Sequence, residues 1–183
     1  MRHHRLLALL LAALPALGLA APLKVDPSAV KLTVGAHATM HSFTGTVANP
    51  AVTVEADPAA GAITAATVRF AWADLKTGDK ARDKEMLEWA TAKSAEGVFI
   101  LVKLAPGGSA DAFTATGTLA LNGQTRELSF PVKIVRTTAG WDISGEAKID
   151  HRDWGLPKIR KFGMLTVDPV VTISFALSAT PGA

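Results

Sequence analysis

Apolar and polar residues alternate almost without error along four segments in the C-terminal half of the chain. The segments are 113–121, 127–134, 141–150 and 165–177. A period of two is typical of strands with one buried and one solvated face, because successive side chains point to opposite sides. Four such strands in succession predict a meandering antiparallel sheet that buries its apolar face against itself. A sheet closed in this way is either a packed core or a container.

The same alternation indicates further strands at 30–34, 52–54 and 66–72. Residues 36–47 are expected to continue as one extended segment, with Gly35 and Gly45 as bends or bulges. Asn122-Gly123 predicts a two-residue hairpin, because both residue types tolerate positive φ. Residues 97–104 are apolar on both faces, so we expect another element to cover that strand.

Residues 79–92 (DKARDKEMLEWATA) contain neither Gly nor Pro and are rich in helix-forming residues. They predict one short helix, capped at its N-terminus by Asp79, that lies on the sheet or plugs it. Eight or nine strands with short connections and one helix favour closure, because a closed sheet has no edges. The predicted fold class is therefore all-β, an antiparallel barrel of about eight strands with one short helix.

The first twenty residues have the composition of a secretory signal peptide. Arg2 and Arg5 precede the apolar stretch 6–14, and small residues then predict cleavage after Ala20. That stretch is shorter than the roughly 20 residues a membrane-spanning helix needs. We therefore expect residues 21–183 to form one exported, periplasmic domain without a transmembrane segment.

Cysteine content and charge exclude several classes of function. The chain has no cysteine and therefore no disulfide, thiolate metal site or dithiol redox motif. Without Arg2 and Arg5, 17 basic residues stand against 16 acidic ones, so the strongly basic surface of a nucleic-acid-binding protein is absent. The sequence also lacks phosphate-loop, dinucleotide-binding, serine-hydrolase and zinc-peptidase motifs. We expect no nucleic-acid partner, no metal, and no cofactor other than a bound lipid.

Two groups of polar residues resemble reactive sites, but their spacing argues against one. On a single strand His37 and His41 would lie ~13 Å apart, too far to share an ion at ~2.0 Å from each ring. In 150–153 (DHRD), neighbouring side chains point to opposite faces, so the four groups cannot all converge on one proton. We therefore predict no catalytic residue. His41, His151 and Arg152 are interpreted as contacts for a ligand head group.

A long loop at 151–163 interrupts the alternation and mixes basic with apolar residues. Its members are Arg152, Trp154, Lys158, Ile159, Arg160, Lys161 and Phe162. Such a loop could hold an anionic head group or make transient contact with a membrane. A solvated loop packed by its Trp is the simpler alternative.

Five motifs occur in a fixed order along the chain: HSFTGTV (41–47), TGDKARDKEML (77–87), GTLALNGQTRELSFPVKI (117–134), IDHRDWGLP (149–157) and LTVDPVVTISFAL (165–177). Together they resemble the YceI family of exported lipid-binding proteins. The ordered set carries the resemblance, and it spans nearly the whole mature chain. The resemblance implies an extended lipocalin-like barrel that holds a long isoprenoid chain, such as a polyprenyl lipid or a quinone tail.

The sequence thus predicts a non-enzymatic exported protein that binds an apolar, isoprenoid-type lipid for carriage, storage or stress response. Burial is the expected mechanism, at ~25 cal/mol per Å² of apolar area removed from water. The predicted lining consists of inward-facing apolar residues: Phe70, Trp72, Phe113, Leu119, Phe130, Trp141, Ile143 and Phe175. Replacing Trp141 by alanine is expected to change ligand retention while the barrel still folds.

Two other functions stay open at this point. A barrel packed solid would serve as a stress-response or adhesion module that binds a protein on its outer face. The small inward residues argue weakly against this, because they leave space: Ala115, Gly117, Gly145 and Ala147. The other alternative is an enzyme acting on a bound lipid or quinone near His41 or His151. The sequence does not distinguish a monomer from a homodimer.

Overall fold

The structure, a computed structural model, describes residues 20–90, 93–161 and 165–182. The strands in these ranges are β1 (Ala21–Val25), β2 (Lys31–Ala38), β3 (His41–Val47), β4 (Ala51–Asp57), β5 (Ala62–Ala71), β6 (Leu75–Lys76), β7 (Glu96–Pro106), β8 (Ala112–Leu121), β9 (Gln124–Arg136), β10 (Trp141–Asp150), β11 (Arg160–Lys161), β12 (Leu165–Thr166) and β13 (Val170–Pro181). One helix, α1 (Lys80–Ala90), and three 3₁₀ segments, Pro27–Ala29, Trp72–Asp74 and His151–Trp154, complete the elements. The predicted signal peptide, except Ala20, lies outside the described residues, as do Phe162 of the predicted loop and residues 91–92 of the predicted helix.

The strands form a closed antiparallel barrel in which neighbours along the chain are also neighbours in the wall. Three wall strands are each interrupted once: β1 continues as β2, β3 as β4, and β5 as β6. The five others, β7, β8, β9, β10 and β13, run through without a break. β13 pairs with β10 on one side and with both β2 and β1 on the other, which closes the wall. The predicted eight-stranded barrel is therefore confirmed.

The period-two pattern places the core as the sequence predicts. Along β8 the residues Ala115, Leu119 and Leu121 are buried, while the intervening threonines are more exposed. Asn122 and Gly123 join β8 to β9 with φ of 49° and 71°, the left-handed values that a tight two-residue hairpin needs. The hairpin prediction is confirmed.

The prediction of one extended segment over 36–47 is wrong. β2 ends at Ala38, the chain turns at Thr39 and Met40, and β3 runs back so that Ala38 pairs with His41 and His37 with Ser42. The alternation continues across a two-residue turn without a phase error, and Thr and Met carry no turn signal, so the pattern hides the reversal. His37 and His41 therefore lie on neighbouring strands rather than along one.

The helix begins as predicted, but it does not cover β7, the strand that was expected to be covered by another element. Asp79 Oδ1 accepts hydrogen bonds from the backbone N–H of Ala81 (2.9 Å) and Arg82 (3.1 Å), which confirms the cap. The helix packs against the 3₁₀ segment Trp72–Asp74 at one end of the barrel. On the outer face of β7, Ile100 and Val102 remain 48% and 69% exposed, so the predicted cover of that strand is wrong. No helix in the described ranges is long and apolar enough to cross a membrane.

Candidate ligand-binding cavity

Two adjoining cavities lie within the barrel. The larger, which we call the outer chamber, has a volume of about 530 Å³ and lies beneath α1. The smaller, the inner chamber, has a volume of about 130 Å³ and lies deeper in the sheet. Phe70, Leu119 and Ile173 line both chambers and form the partition between them. The outer chamber alone falls in the size range of pockets that hold small molecules.

The inner chamber is lined by aliphatic and aromatic side chains alone. Phe130 lies at its centre, with ring centroids 5.4 Å from Phe99 and 5.8 Å from Phe175. Because these rings contribute no hydrogen-bonding atom, contacts in this chamber depend on shape and buried area.

Two of the small inward residues do not leave empty space. A Cβ built on Gly145 would lie 2.7 Å from Phe175 Cζ, and one built on Gly117 would lie 2.6 Å from Phe99 Cε2. The rings of the neighbouring strands thus occupy the room that these glycines provide. Ala115 and Ala147, in contrast, do line the inner chamber. The sequence argument for open space therefore holds at the alanines and fails at the glycines.

The outer chamber combines apolar walls with polar and charged groups. Helix α1 contributes Met86 and Trp89, and strand β3 contributes Phe43. Polar lining comes from several elements: His41, Thr77, Asp79, Arg82, Glu85, His151, Lys158 and Arg160. The chamber can therefore receive an amphipathic group, which the inner chamber cannot.

A row of four aromatic rings runs from the partition across the outer chamber. Phe70, Trp72, Trp89 and His151 follow one another with centroid separations of 5.3, 6.5 and 5.0 Å, each pair nearly perpendicular. Edge-to-face contacts of this kind are favourable because the ring edge is positive and the face negative. Trp89 Nε1 also donates a hydrogen bond to the Pro157 carbonyl (2.9 Å), which ties α1 to the loop after β10.

The 3₁₀ segment His151–Trp154 is held against the β8–β9 hairpin by two buried hydrogen bonds. Trp154 Nε1 donates to the Leu119 carbonyl at 2.8 Å, and Asn122 Nδ2 donates to the Trp154 carbonyl at 2.9 Å. Gly155, with φ of 71°, then ends the segment in the left-handed conformation. These contacts fix the position of His151 beneath the loop.

His151 is a buried titratable group in the wall of the outer chamber. It is 4% exposed, and its Nδ1 lies 3.2 Å from the Leu156 carbonyl. Burial lowers the pKa of His151 because the charged ring loses its hydration, although the Leu156 carbonyl and Asp150 act in the opposite direction. Within the described part of the chain, His151 Nε2 and Trp72 Nε1 are buried without a hydrogen-bond partner.

Basic side chains surround the entrance to the outer chamber. Arg82 lies over the ring of Phe43, with its guanidinium carbon 4.4 Å from the centroid, and it pairs with Asp79 at 3.4 Å. Lys158 and Arg160 line the chamber from the opposite loop, and neither pairs with a carboxylate among the described residues. This side of the entrance is therefore positively charged.

The predicted lining residues separate into four groups. Phe130, Ile143 and Phe175 line the inner chamber, Trp72 lines the outer, and the shared partition contains Phe70 and Leu119. Phe113 and Trp141 line neither chamber.

Trp141 instead belongs to the packed part of the barrel. Its side chain is 3% exposed, its Nε1 donates to the Gly61 carbonyl at 3.3 Å, and Arg136 lies over its ring at 4.2 Å. Period two correctly predicts that this residue faces inward, but it does not predict how far along the barrel axis the open space extends.

The predicted head-group contacts also separate. His41 and His151 both line the outer chamber, whereas Arg152 does not. Asp150 holds Arg152 at the surface through Nε–Oδ1 (3.0 Å) and Nη2–Oδ2 (2.6 Å) contacts, and these lower the pKa of Asp150 to about 2. None of the described His, Asp and Glu residues form a group of three that could hold a metal ion.

Several outer-chamber residues were not singled out from the sequence as ligand contacts. They are Phe43, Arg82, Met86 and Trp89. The sequence predicts the helix that carries Met86 and Trp89, but not which part of the barrel these side chains face. Only the placement of α1 over the barrel end brings these side chains to the cavity.

Comparison with known proteins agrees with this architecture. A family described as YceI-like domain matches residues 23–179. Burkholderia cenocepacia BcnA has a similar structure, with a TM-score of 0.75 and 23% identity over 86% of this chain and 100% of that one. A polyisoprenoid-binding domain from Saccharophagus degradans gives a TM-score of 0.66 and 16% identity over 88% and 99%. The Campylobacter jejuni YceI protein gives 0.62 and 16% over 80% and 89%. No curated protein sequence matches the chain significantly.

Proposed function

Because this chain belongs to the YceI-like family, we propose that it is a binding protein for one isoprenoid-type lipid. The lipid tail would occupy the inner chamber and its head group the outer chamber. The observation that carries the proposal is the change in the polarity of the cavity lining at the partition formed by Phe70, Leu119 and Ile173. On one side the lining is wholly apolar, and on the other it includes charged and hydrogen-bonding side chains. An amphipathic molecule matches both sides at once.

The free energy of binding would come mainly from the tail. Removing apolar surface from water yields ~25 cal/mol per Å², and this gain requires no particular orientation of the tail. The rings of Phe99, Phe130 and Phe175 offer flat apolar surface for such contact. A similar structure is that of a polyisoprenoid-binding domain, which supports the choice of an isoprenoid tail.

We propose binding rather than catalysis as the activity. The carboxylate nearest to His151 in sequence, Asp150, is held by Arg152. The Nδ1 of His151 faces a backbone carbonyl, not a carboxylate that would orient the ring for proton transfer. This arrangement suits a histidine that forms a hydrogen bond to a bound ligand better than a histidine that transfers a proton to or from it.

We further propose that the protein acts in the periplasm, after removal of residues 1–20, and loads its lipid during transient contact with a membrane. Met40, 87% exposed, lies at the turn between β2 and β3 and directly precedes His41, which lines the outer chamber together with Lys158 and Arg160. An exposed apolar side chain and two cations without a carboxylate partner among the described residues are complementary to an anionic bilayer surface, where each basic residue contributes about 1 kcal/mol. The mature protein should then begin at Ala21, which N-terminal mass analysis of the exported protein measures.

Vesicle co-sedimentation tests this contact. Vesicles with 30% phosphatidylglycerol should retain the protein better than pure phosphatidylcholine vesicles, by roughly thirtyfold for two cations at about 1 kcal/mol each. The double variant Lys158→Glu/Arg160→Glu should lose the difference. The matched control, with the same change in net charge, is Lys24→Glu/Lys103→Glu at exposed positions on β1 and β7 that do not line the chamber, and it should retain the difference.

Native mass spectrometry with organic extraction tests the proposed function itself. The protein should be purified without detergent from the compartment to which it is exported. A one-to-one adduct that extracts as an isoprenoid compound is the expected result. A protein that is empty and folded, and that takes up no added polyprenol after delipidation, would contradict the proposal.

A further inference from the structure

Two residues that line the outer chamber each carry a buried polar atom without a hydrogen-bond partner among the described residues. These are Trp72 Nε1 and His151 Nε2, on side chains that are 8% and 4% exposed. Both residues line the same cavity. Buried polar atoms are paired in the great majority of cases, so two unpaired atoms in one cavity indicate partners that come from outside the protein.

The chemical role of each atom follows from its neighbours. The Leu156 carbonyl can only accept, so the proton of a neutral His151 ring lies on Nδ1, and Nε2 is left with a lone pair. Burial favours this neutral ring by lowering the pKa of His151. An indole N–H can only donate. The chamber therefore presents an acceptor at His151 and a donor at Trp72.

The aromatic residue between them cannot satisfy either atom. Trp89 lies 5.0 Å from His151 and 6.5 Å from Trp72 between ring centroids. It has no acceptor atom, and its single N–H is already donated to the Pro157 carbonyl. Since no described residue pairs with either atom, an oxygen or nitrogen atom of a ligand or of water is the partner that we consider.

We infer that the outer chamber selects a lipid whose head group carries a hydroxyl, with its O–H donated to His151 Nε2 and a head-group oxygen accepting from Trp72 Nε1. The inference rests on the proposed function, since it assigns the head group of the same lipid. A prenyl alcohol and a prenylated hydroquinone share this chemistry. A quinone or an ether has only acceptor oxygens, so its lone pairs would face the lone pair of Nε2. A site built for a hydroxyl discriminates strongly against analogues that lack it, because its own polar atoms then stay unpaired.

The test compares ligands that differ in the hydroxyl alone. One arm uses geranylgeraniol and its methyl ether, and the other uses a decyl hydroquinone and the corresponding quinone, kept anaerobic. The dissociation constant of each is measured by the quenching of tryptophan fluorescence. The hydroxyl member of a pair should bind about tenfold more tightly, the ratio expected of one hydrogen bond of ordinary strength. The arm with the larger ratio identifies whether an alcohol or a phenol fits better.

Variants assign the preference to the two residues. His151→Phe, which removes the acceptor, should reduce the ratio to about one, and His37→Phe makes the same change at an exposed site outside the chamber and should keep the ratio. Trp72→Phe should weaken both members of a pair equally, because both have an oxygen that can accept. If His151→Phe does not fold, ¹⁵N NMR of the wild-type protein replaces it. The Nε2 resonance of His151 should shift with geranylgeraniol and stay in place with its ether.

Three outcomes overturn the inference. If both members of each pair bind wild-type protein equally, water rather than a hydroxyl satisfies Nε2, and the proposed function survives alone. If the preference persists in His151→Phe, another residue selects the hydroxyl. If no ligand binds at all, the proposed function fails together with this inference.

Discussion

The inner and outer chambers share three residues but differ in the groups that they offer to a ligand. The inner chamber has no polar side chain in its lining, so it responds to the area and shape of whatever enters. The outer chamber contains charges, a buried imidazole and an indole N–H, so it responds to the identity of individual atoms. Affinity and selectivity can therefore change independently in this barrel. A mutation in one chamber should alter one property and spare the other.

The largest expected effect comes from a residue that lines neither chamber. Trp141→Ala should lower the free energy of unfolding by about 3–5 kcal/mol, since it removes a large buried ring that packs against its neighbours. Ligand affinity of the folded fraction should stay unchanged, because the ring is not in contact with either cavity. Denaturant unfolding and ligand titration measure the two quantities. Trp89→Ala is the matched change in the outer chamber, and it should do the reverse: a smaller loss of stability with a clear loss of affinity. If the two variants lost the same amount of stability and of affinity, the separation between the packed part of the barrel and the outer chamber would be contradicted.

The next effect concerns the wall of the outer chamber. Asn122→Ala should cost about 1–3 kcal/mol, because the buried Trp154 carbonyl loses its donor and the new residue must keep a φ of 49°. Thermal unfolding measures the loss. Asn49→Ala, at an exposed position, is the control and should stay within a few tenths of a kcal/mol. A loss of the same size in both variants would show that the hairpin contact does not hold the 3₁₀ segment.

A smaller effect should appear when the inner chamber is filled. Ala147→Leu places extra methyl groups in it and should weaken binding of a C20 prenyl alcohol by about tenfold, since each displaced methylene contributes ~0.8 kcal/mol. Binding of a C5 alcohol should change little, because so short a tail stays in the outer chamber. Ala120→Leu, next to Leu119 on the opposite face of β8, serves as the control. Equal weakening for both tail lengths would mean that tails do not reach the inner chamber.

The smallest effect is a pH dependence that belongs to the outer chamber alone. The folded pKa of His151 lies below the value near 6.5 of the unfolded chain, so the unfolded state takes up a proton first as the pH falls. The free energy of unfolding should therefore decrease from pH 6.5 down to the folded pKa and then level off. Asp150 and Arg152, the charged groups that act on this ring, stay charged in that window. His151→Phe should flatten the curve, whereas Ala147→Leu should leave its slope unchanged. A wild-type curve that is already flat would contradict a buried neutral His151.

The two chambers also differ in how far the sequence predicts them. Period two identified the inward faces of β8, β9, β10 and β13, which supply half of the inner-chamber lining, because the alternation of a strand is a local property. Phe130, Ile143 and Phe175 could therefore be chosen in advance. The length of the cavity along the barrel could not be predicted from the alternation, since it depends on which aromatic rings fill the space beside the inward-facing glycines. For this reason Trp141 and Phe113 were expected in the lining.

The outer chamber was predicted only in part. His41 and His151, which were predicted as head-group contacts, both line the outer chamber, but their arrangement depends on a turn at Thr39–Met40 and on the docking of α1. Neither the turn nor the docking of the helix produces a periodic pattern in the sequence. Arg152 was expected there because it belongs to a basic loop that could hold an anionic head group. The neighbouring Asp150 decides otherwise, and whether two adjacent side chains pair with each other is a question of rotamers rather than of spacing.

The interruptions of β1–β2, β3–β4 and β5–β6 lie side by side in the wall and bear on how quickly a cargo exchanges. The unbroken side is held by long ladders, with ten residue pairs between β10 and β13 and ten between β8 and β9. On the interrupted side, β2–β3 and β4–β5 share six and seven pairs, but the short segments are held by less: β1 and β4 share two pairs, and β3 and β6 also share two. Segments joined by so few hydrogen bonds open at a lower free energy than the rest of a fold. The half-life of the complex should therefore follow the breathing of this side of the barrel, with its backbone amides exchanging hydrogen for deuterium first. A cargo bound tightly at equilibrium could then still leave on a biologically useful timescale.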